Sequence, residues 1–216
     1  MDLRSNHKVK IPVNAVELNG NLVIPANAHA IVVFSHGSGS SRMSPRNLQV
    51  ARHLHQHHLG TLLFDLLTEE EDIHYNNRFN INLLTERLMA ATDWLLNQPA
   101  ARDCRLGYFG ASTGAASALK ASARSGNIGA VVSRGGRPDL AMDELPQVQA
   151  PVLLIVGSLD HDVLQLNRRA YELLKCEKKL DIIEGATHLF EEEGMMEIVS
   201  EKATNWFQQY LQPVKA

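Results

Sequence analysis

The feature that most constrains the fold of this sequence is a regular alternation of short apolar runs with amphipathic helical segments, from residue 30 onwards. The apolar runs are rich in Val, Ile and Leu, as expected for strands buried on both faces. Strands that alternate with helices predict an α/β fold, a mostly parallel sheet with helices on both faces. The predicted strands are Ala30–Phe34, Thr61–Asp65, Leu106–Gly110, Ile128–Ser133, Val152–Val156 and Leu180–Ile183, and the predicted helices are Pro45–His58, Asn80–Asn97, Ser112–Arg124, a segment with Leu166, Ala170 and Leu173, and a last segment with Val199, Ala203, Phe207 and Tyr210.

The first residues carry a different pattern. Two β-like stretches, Lys8–Val13 and Ala15–Pro25, precede the alternating region, and Asn19-Gly20 between apolar residues is a hairpin signal. We therefore expect an antiparallel hairpin at the edge of the sheet. Because no repeat or flexible linker interrupts the sequence, we expect residues 1–216 to form a single domain.

Composition excludes several classes of function. Hydrophobic residues make up 44% of the chain and the net charge is −3, which argues against nucleic acid or an anionic membrane as a partner. The two cysteines, Cys104 and Cys176, form no CxxC pair, so we expect neither a metal nor another cofactor. The N-terminus lacks the apolar core of a signal peptide, and no apolar run could cross a bilayer, so a cytoplasmic location is expected.

One glycine-rich turn carries the strongest chemical signal. Gly110-Ala-Ser112-Thr-Gly114 is a G-x-S-x-G motif placed between a predicted strand and a predicted helix. Such a turn raises the serine hydroxyl above the sheet, at the positive end of the helix. We therefore predict that Ser112 is a catalytic nucleophile; the alternative is an ordinary glycine-rich turn.

Candidate partners for the serine follow two later strands. Asp160 lies in Gly157-Ser-Leu-Asp160-His-Asp162, and His188 lies in Gly185-Ala-Thr-His188. The order Ser, Asp, His is that of α/β-hydrolase catalytic triads, in which His is the general base and Asp orients it. Asp162 is the alternative acid, although it could instead cap a helix that begins near Val163.

The loop after the first buried strand is a candidate oxyanion hole. His36-Gly-Ser-Gly-Ser-Ser41 can aim backbone N–H groups at a developing negative charge, and the predicted donors are the amides of Ser38 and Thr113. The alternative is a phosphate-binding loop, but the lysine that such a loop requires is missing.

Several arginines are predicted at the same end of the sheet. Arg42, Arg134 and Arg137 could bind an anionic group of a substrate, because the planar guanidinium donates two hydrogen bonds to a carboxylate or phosphate. Arg46, near Arg42 in the sequence, could contribute to the same binding site. The alternative is that these arginines form salt bridges to Asp139, Asp65 or the acidic run Glu69–Asp72.

Together these motifs resemble the α/β-hydrolase superfamily, and more narrowly its dienelactone-hydrolase-related branch. The motifs that carry the resemblance are HGSGSS at His36, GASTG at Gly110, GSLDHD at Gly157 and GATHLF at Gly185, and Asp65 matches a position at the active-site rim. Dienelactone hydrolases use a cysteine nucleophile, whereas residue 112 is serine. The resemblance therefore implies a carboxylesterase or acyl hydrolase rather than a lactone hydrolase. The stretch Ser133–Asp139 resembles uncharacterised hydrolases, some of them joined to a phosphoribosyltransferase, of which this sequence shows no segment.

The sequence thus predicts a serine esterase that cleaves a small, soluble acyl compound through a Ser-His-Asp triad. The short stretch Gly135–Ala150, where large lids are usually inserted in this fold, predicts an open site without a large lid. Two alternatives stay open: an acyltransferase or peptidase with the same triad, and a non-catalytic binding module that retains the fold. The sequence specifies neither the substrate nor the oligomeric state.

Overall fold

The computed structural model describes residues 2–213, and in this range eight strands form one sheet with the order β1-β2-β4-β3-β5-β6-β7-β8. All neighbouring strands from β4 onwards in this order are parallel, whereas β1 pairs antiparallel with β2 and β2 with β4. The mostly parallel α/β fold is confirmed. The strands are β1 (Leu3–Val13), β2 (Val16–Pro25), β3 (Ala30–Ser35), β4 (Gly60–Phe64), β5 (Arg105–Ala111), β6 (Ile128–Arg134), β7 (Val152–Gly157) and β8 (Lys178–Ile183).

Helices cover both faces of this sheet, as predicted. The α-helices are α1 (Pro45–Gln56), α2 (Glu69–Ile73), α3 (Ile81–Leu96), α4 (Thr113–Arg124), α5 (His161–Leu173) and α6 (Met195–Tyr210). Apolar side chains of α1 and α6 pack with alternate residues of the central strands into one core, and α3 and α4 contribute to a second core on the opposite face. No helix between residues 2 and 213 is both long enough and apolar enough to cross a membrane.

The N-terminal hairpin forms at the edge of the sheet, but the Asn19-Gly20 turn signal was wrong. The turn is at Asn14 and Ala15, where Asn14 adopts a left-handed conformation with φ 52°. Asn is one of the few residues that tolerate this conformation. Gly20 instead lies inside β2, opposite Val9 of β1. Glycine fits at this position because a Cβ would be only 2.9 Å from Val9 Cγ2.

The fifth helix differs in detail from the prediction. It begins at His161 rather than near Val163, and its buried residues are Val163, Leu164, Asn167 and Ala170. Leu173, which the apolar spacing placed on the buried face, is exposed. The buried Asn167 donates a hydrogen bond to the Gly136 carbonyl oxygen at 3.0 Å, so this helix is tied to the loop after β6 by a polar contact.

Two short elements lie beside the carboxyl end of the sheet. The α2 helix begins with a capping box, in which Thr68 accepts from the Glu71 amide and Glu71 accepts from the Thr68 amide. A 3₁₀ helix over Pro138–Gln147 connects β6 to β7, and it buries Ala141 and Leu145. The residues between β6 and β7 therefore pack into the body of the protein.

Candidate active site

Ser112 lies on the tight turn between β5 and α4, in a conformation that side chains rarely adopt. Its φ is 51° and its ψ is −120°, so local strain is concentrated at this residue. Two glycines make the turn possible, because a Cβ on Gly110 would collide with the Ala115 backbone and a Cβ on Gly114 with the Ser35 carbonyl oxygen. In the described chain, the Ser112 side chain makes no capping hydrogen bond to α4. The hydroxyl is therefore available for chemistry.

The structure brings Asp160 and His188 together. Asp160 Oδ2 accepts a hydrogen bond from His188 Nδ1 at 2.6 Å, and the Asp160 side chain is 14% exposed. Asp162, the alternative acid, is exposed in the first turn of α5. Gly157 permits this arrangement, because a Cβ there would collide with the Ala186 carbonyl oxygen on the loop that carries His188.

Ser112 and His188 both lie beside the end of β6, but no hydrogen bond joins them among residues 2–213. The Ser112 amide donates to the Arg134 carbonyl oxygen at 3.2 Å. The next residue, Gly135, lies against the histidine, because a Cβ on it would be 3.6 Å from His188 Cε1. Catalytic hydrogen bonds are often long or misaligned in free enzymes and tighten only in the substrate complex.

His36 fixes the predicted oxyanion loop to the segment that follows β4. His36 Nε2 accepts from the Leu66 amide at 3.1 Å, which leaves Nδ1 to donate to the Gly37 carbonyl oxygen at 2.9 Å. Burial lowers the pKa of His36, so the neutral ring that this pattern requires is favoured. The loop approaches the nucleophile closely, since a Cβ on Gly37 would be 3.1 Å from Ser112 Cβ. Sequence reasoning missed this bracing role, although a histidine directly after a buried strand was a signal for it.

The two predicted oxyanion donors differ in this structure. The Ser38 amide already donates to the hydroxyl of Thr113, with 2.9 Å between N and Oγ1. The Thr113 amide is in the first turn of α4, where N–H groups have no partner within the helix. A substrate oxygen could therefore accept hydrogen bonds from both amides only if the Ser38 amide first broke its bond to the Thr113 hydroxyl.

The predicted substrate-binding arginines have different environments. Arg42 is ion-paired with Asp65, and its amide also donates to Asp65 Oδ1 at 2.8 Å. Arg137 forms a bidentate pair with Asp139 at 2.8 and 2.7 Å. These two are the salt bridges that the sequence left open as the alternative. Arg134 is 6% exposed and has no carboxylate partner within the described residues.

No group of three or more His, Cys, Asp or Glu side chains in the described part of the chain could hold a metal ion. The histidines of α1 have other partners: His53 Nδ1 lies 2.8 Å from Thr204 Oγ1, and His55 Nε2 lies 2.7 Å from Thr61 Oγ1.

The sheet order, the serine on a strained strand-to-helix turn and the Asp-His pair after later strands define the class as an α/β-hydrolase fold. The model of the dienelactone hydrolase family matches residues 18–213, and the chain belongs to this family. The resemblance stated from the sequence motifs is thereby confirmed.

Solved structures agree with this assignment. The chain is similar to a dienelactone hydrolase from Anabaena variabilis, with 51% sequence identity, a TM-score of 0.94, and coverage of 96% of this chain and 99% of that one. The Est1E protein of Butyrivibrio proteoclasticus has a TM-score of 0.82 over 95% of this chain and 99% of that one. At 16% identity, it shows a shared fold only.

The curated relatives carry a different name. Two proteins, from two strains of Mycobacterium tuberculosis, are 50% identical to this chain over 207 residues and bear the provisional name of phosphoribosyl transferase. The match covers 95% of this chain but 47% of each relative, so the chain spans about half of their length. A name given to proteins of twice the length does not assign an activity to the matched half.

Proposed function

We propose that this hydrolase is a serine esterase that cleaves a small acyl compound with a triad of Ser112, His188 and Asp160. The observation that carries the proposal is the 2.6 Å hydrogen bond between Asp160 Oδ2 and His188 Nδ1, beside a serine held at φ 51°. This bond fixes the histidine tautomer, so that Nε2 is the unprotonated ring nitrogen that can accept a proton.

Each residue then has a defined role. His188 Nε2 removes the proton of Ser112 while Oγ attacks the substrate carbonyl carbon, and Asp160 stabilises the imidazolium that forms. His188 next returns the proton to the departing alcohol, which leaves an acyl group on Ser112. A water molecule, deprotonated by the same histidine, releases the acid and restores the serine. Before Ser112 attacks, its hydrogen bond to His188 has to form through a change in the rotamer of the serine or the histidine.

The negative charge that develops on the carbonyl oxygen needs donors on the opposite side from the histidine. The Thr113 amide at the start of α4 and the Ser38 amide are the proposed donors. The Ser38 amide would move from Thr113 Oγ1 to the oxyanion, which exchanges one hydrogen bond for a stronger, charge-assisted one. This exchange favours the transition state over the ground state, which is the requirement for catalysis.

Labelling with a fluorophosphonate probe tests the proposal. An activated serine attacks the phosphorus atom and expels fluoride, so wild-type protein should gain the mass of one adduct. We expect no adduct on Ser112→Ala and at least a hundredfold slower labelling of His188→Ala. Ser122→Ala is the matched control, because Ser122 is buried near the end of α4 and its hydroxyl has no partner in the described chain, so its loss should not affect labelling. Failure of the folded wild type to react would overturn the proposal.

The missing Ser112–His188 hydrogen bond is the observation that favours the alternative, a non-catalytic binding module. Such a module would remain unlabelled by probes of several sizes, while an acyltransferase would be labelled but would hydrolyse esters slowly unless a second acceptor were added. Labelling, followed by hydrolysis assays with and without small alcohols and amines, separates these alternatives.

A further inference from the structure

We propose that Arg134 holds an anionic group, a carboxylate or a phosphate, of the molecule whose acyl group reacts at Ser112. The proposal names the substrate class and therefore rests on the proposed function, although the binding site itself can be tested without turnover.

The position of Arg134 connects it to the nucleophile. It is the last residue of β6, and its carbonyl oxygen accepts the hydrogen bond of the Ser112 amide. Side chains alternate along a strand, so its side chain lies on the same face as Val132 and Ala130, the face covered by α1 and α6. The guanidinium carbon lies 5.9 Å from the centre of the Phe190 ring, two residues beyond His188.

The Arg134 guanidinium contacts an aromatic ring, but the described chain gives it no carboxylate partner. Arg134 is 6% exposed, its Nε is buried without a partner, and residues 2–213 supply it with neither a hydrogen bond nor an ion pair. A largely buried charge that no carboxylate neutralises is unfavourable, because part of its hydration is lost. Burial, together with the neighbouring charge of Arg46, lowers the pKa of Arg134 to about 10, so the side chain is still a cation at neutral pH.

A second guanidinium lies close to the first. Arg46, at the start of α1, has an Nε that is likewise buried without a partner, and its Nη1 is paired with Glu191 at 2.6 Å. The two cations repel each other and each has an unsatisfied buried Nε, whereas the one carboxylate, Glu191, is paired with Arg46. This leaves an excess of positive charge around Arg134. An anion bound here would remove both the repulsion and the unsatisfied donor of Arg134.

The other predicted substrate-binding arginines show that the excess of positive charge is confined to the surroundings of Arg134. Arg42 and Arg137 have carboxylate partners supplied by the chain itself, Asp65 and Asp139. A guanidinium that the chain leaves unpaired beside a nucleophile is suited to a ligand, because its planar fork matches the geometry of carboxylate and phosphate oxygens. We infer that the substrate is a small ester in which a negative charge lies a few atoms from the scissile carbonyl.

The binding experiment uses Ser112→Ala as a host that cannot turn over substrate. Its melting temperature would be measured with succinate, inorganic phosphate and chloride at constant ionic strength, and again in Ser112→Ala/Arg134→Met. Met replaces the aliphatic part of the arginine side chain, and it removes the charge. We expect succinate or phosphate, but not chloride, to raise the melting temperature of the host, and Arg134→Met to abolish this rise.

The kinetic experiment compares aryl esters of butyrate with aryl hemiesters of succinate. Arg134→Met should lower kcat/KM for the charged ester by about 10- to 100-fold, the usual range for a lost charged hydrogen bond, and change that of the neutral ester by less than threefold. Arg124→Met is the control, because it removes an arginine paired with Glu144 on the surface. Equal losses on both esters, or a rise in melting temperature with chloride as large as with succinate and phosphate, would overturn the proposal. Absence of fluorophosphonate labelling together with Arg134-dependent anion binding would instead reject the esterase and retain the anion site.

Discussion

At the scale of single residues, the choice between Asp160 and Asp162 determines which carboxylate serves His188. Asp160 precedes α5 and Asp162 lies two positions later, in its first turn, but only Asp160 contacts the imidazole. Asp162 is exposed in the first helical turn, where a negative charge interacts favourably with the helix dipole. Substitution of Asp160 and substitution of Asp162 should therefore have different effects on activity.

Asp160→Asn should lower kcat for a short acyl ester by about 10³- to 10⁴-fold, because an amide at this position no longer fixes the correct tautomer of His188. Asp162→Asn is the matched control and should retain activity within about threefold. Steady-state kinetics at pH 7.5 on both variants, with circular dichroism to confirm folding, provide the measurement. A loss in Asp162→Asn as large as that in Asp160→Asn would contradict this assignment.

His55 links the stability of the protein to pH. Burial lowers its pKa from 6.5 to about 4, and the neutral ring lies 2.7 Å from the Thr61 hydroxyl. Below pH 6.5 the unfolded chain takes up a proton that the folded chain refuses, so this histidine destabilises the fold as pH falls from about 6.5 towards 4. The folding equilibrium constant should fall by up to about tenfold per pH unit in this window from His55 alone.

His55→Gln, which can still bond to Thr61, should weaken this pH dependence. Urea denaturation at pH 7 and pH 5 measures the effect, and His74→Gln, on the exposed surface, is the control. An unchanged difference between the two pH values in His55→Gln would show that His55 does not contribute.

The sequence could locate Ser112, Asp160 and His188 because each follows a predicted strand. The sequence could not show that Arg42 and Arg137 form ion pairs whereas Arg134 does not. It named Asp65 and Asp139 only as possible salt-bridge partners of these arginines. Whether an arginine is paired depends on the distance between side chains, which the order of residues does not determine.

At the scale of secondary-structure elements, the close approach of α4 to the sheet holds the serine turn in place. Gly110 and Gly114 allow the backbone of the helix to lie directly against β5 and the end of β3. Ala115 and Ala116, which are fully buried, continue this close contact along the helix. The turn is thus enforced by packing around it rather than by the serine itself.

Gly114→Ala should destabilise the protein by more than about 3 kcal/mol, because the new methyl group would overlap the Ser35 carbonyl oxygen and push α4 away. Gly126→Ala, after the same helix, is the control: its Cβ would meet nothing within 4 Å, and its effect should remain within about 0.5 kcal/mol. Thermal and urea denaturation of both variants are the test. Equal stability of the two variants would exclude the close contact.

Most strands and long helices were predictable because their apolar residues follow a clear period. The hairpin turn was misplaced because Asn-Gly is a turn signal only where no neighbouring strand needs the glycine for close packing, as Val9 does at Gly20. The α2 helix was not predicted, since its residues are exposed or partly exposed and it therefore lacks an apolar stripe. Its signal was the capping pair of Thr68, directly before the acidic run, and Glu71 within that run.

At the scale of the whole molecule, the connection between β6 and β7 determines how open the active-site end is. The 3₁₀ helix of Pro138–Gln147 packs against α4, with Leu145 fully buried. It is therefore held against the body of the protein, and large movements over the site would expose apolar surface. This arrangement favours substrates that fit a small, permanently accessible site.

A series of aryl esters from acetate to dodecanoate should therefore show the highest kcat/KM for short acyl chains, with at least a tenfold decrease beyond about eight carbons. No sharp increase in rate is expected when the long esters form micelles, because a permanently accessible site has no lid that a micelle surface could displace. The series would be measured on wild type below and above the critical micelle concentration. A rate that rises sharply with micelle formation would contradict the open-site prediction.

The left-handed conformation of Ser112 has a consequence for the history of the protein. Glycine would adopt φ 51° there without strain, whereas serine and cysteine carry the same penalty as each other. Selection for heat resistance alone would therefore favour glycine at position 112, and selection for the proposed turnover would oppose that replacement. Under the proposed function, a serine in so unfavourable a conformation, together with its glycine neighbours, is explained if loss of the hydroxyl is more harmful to the organism than reduced stability.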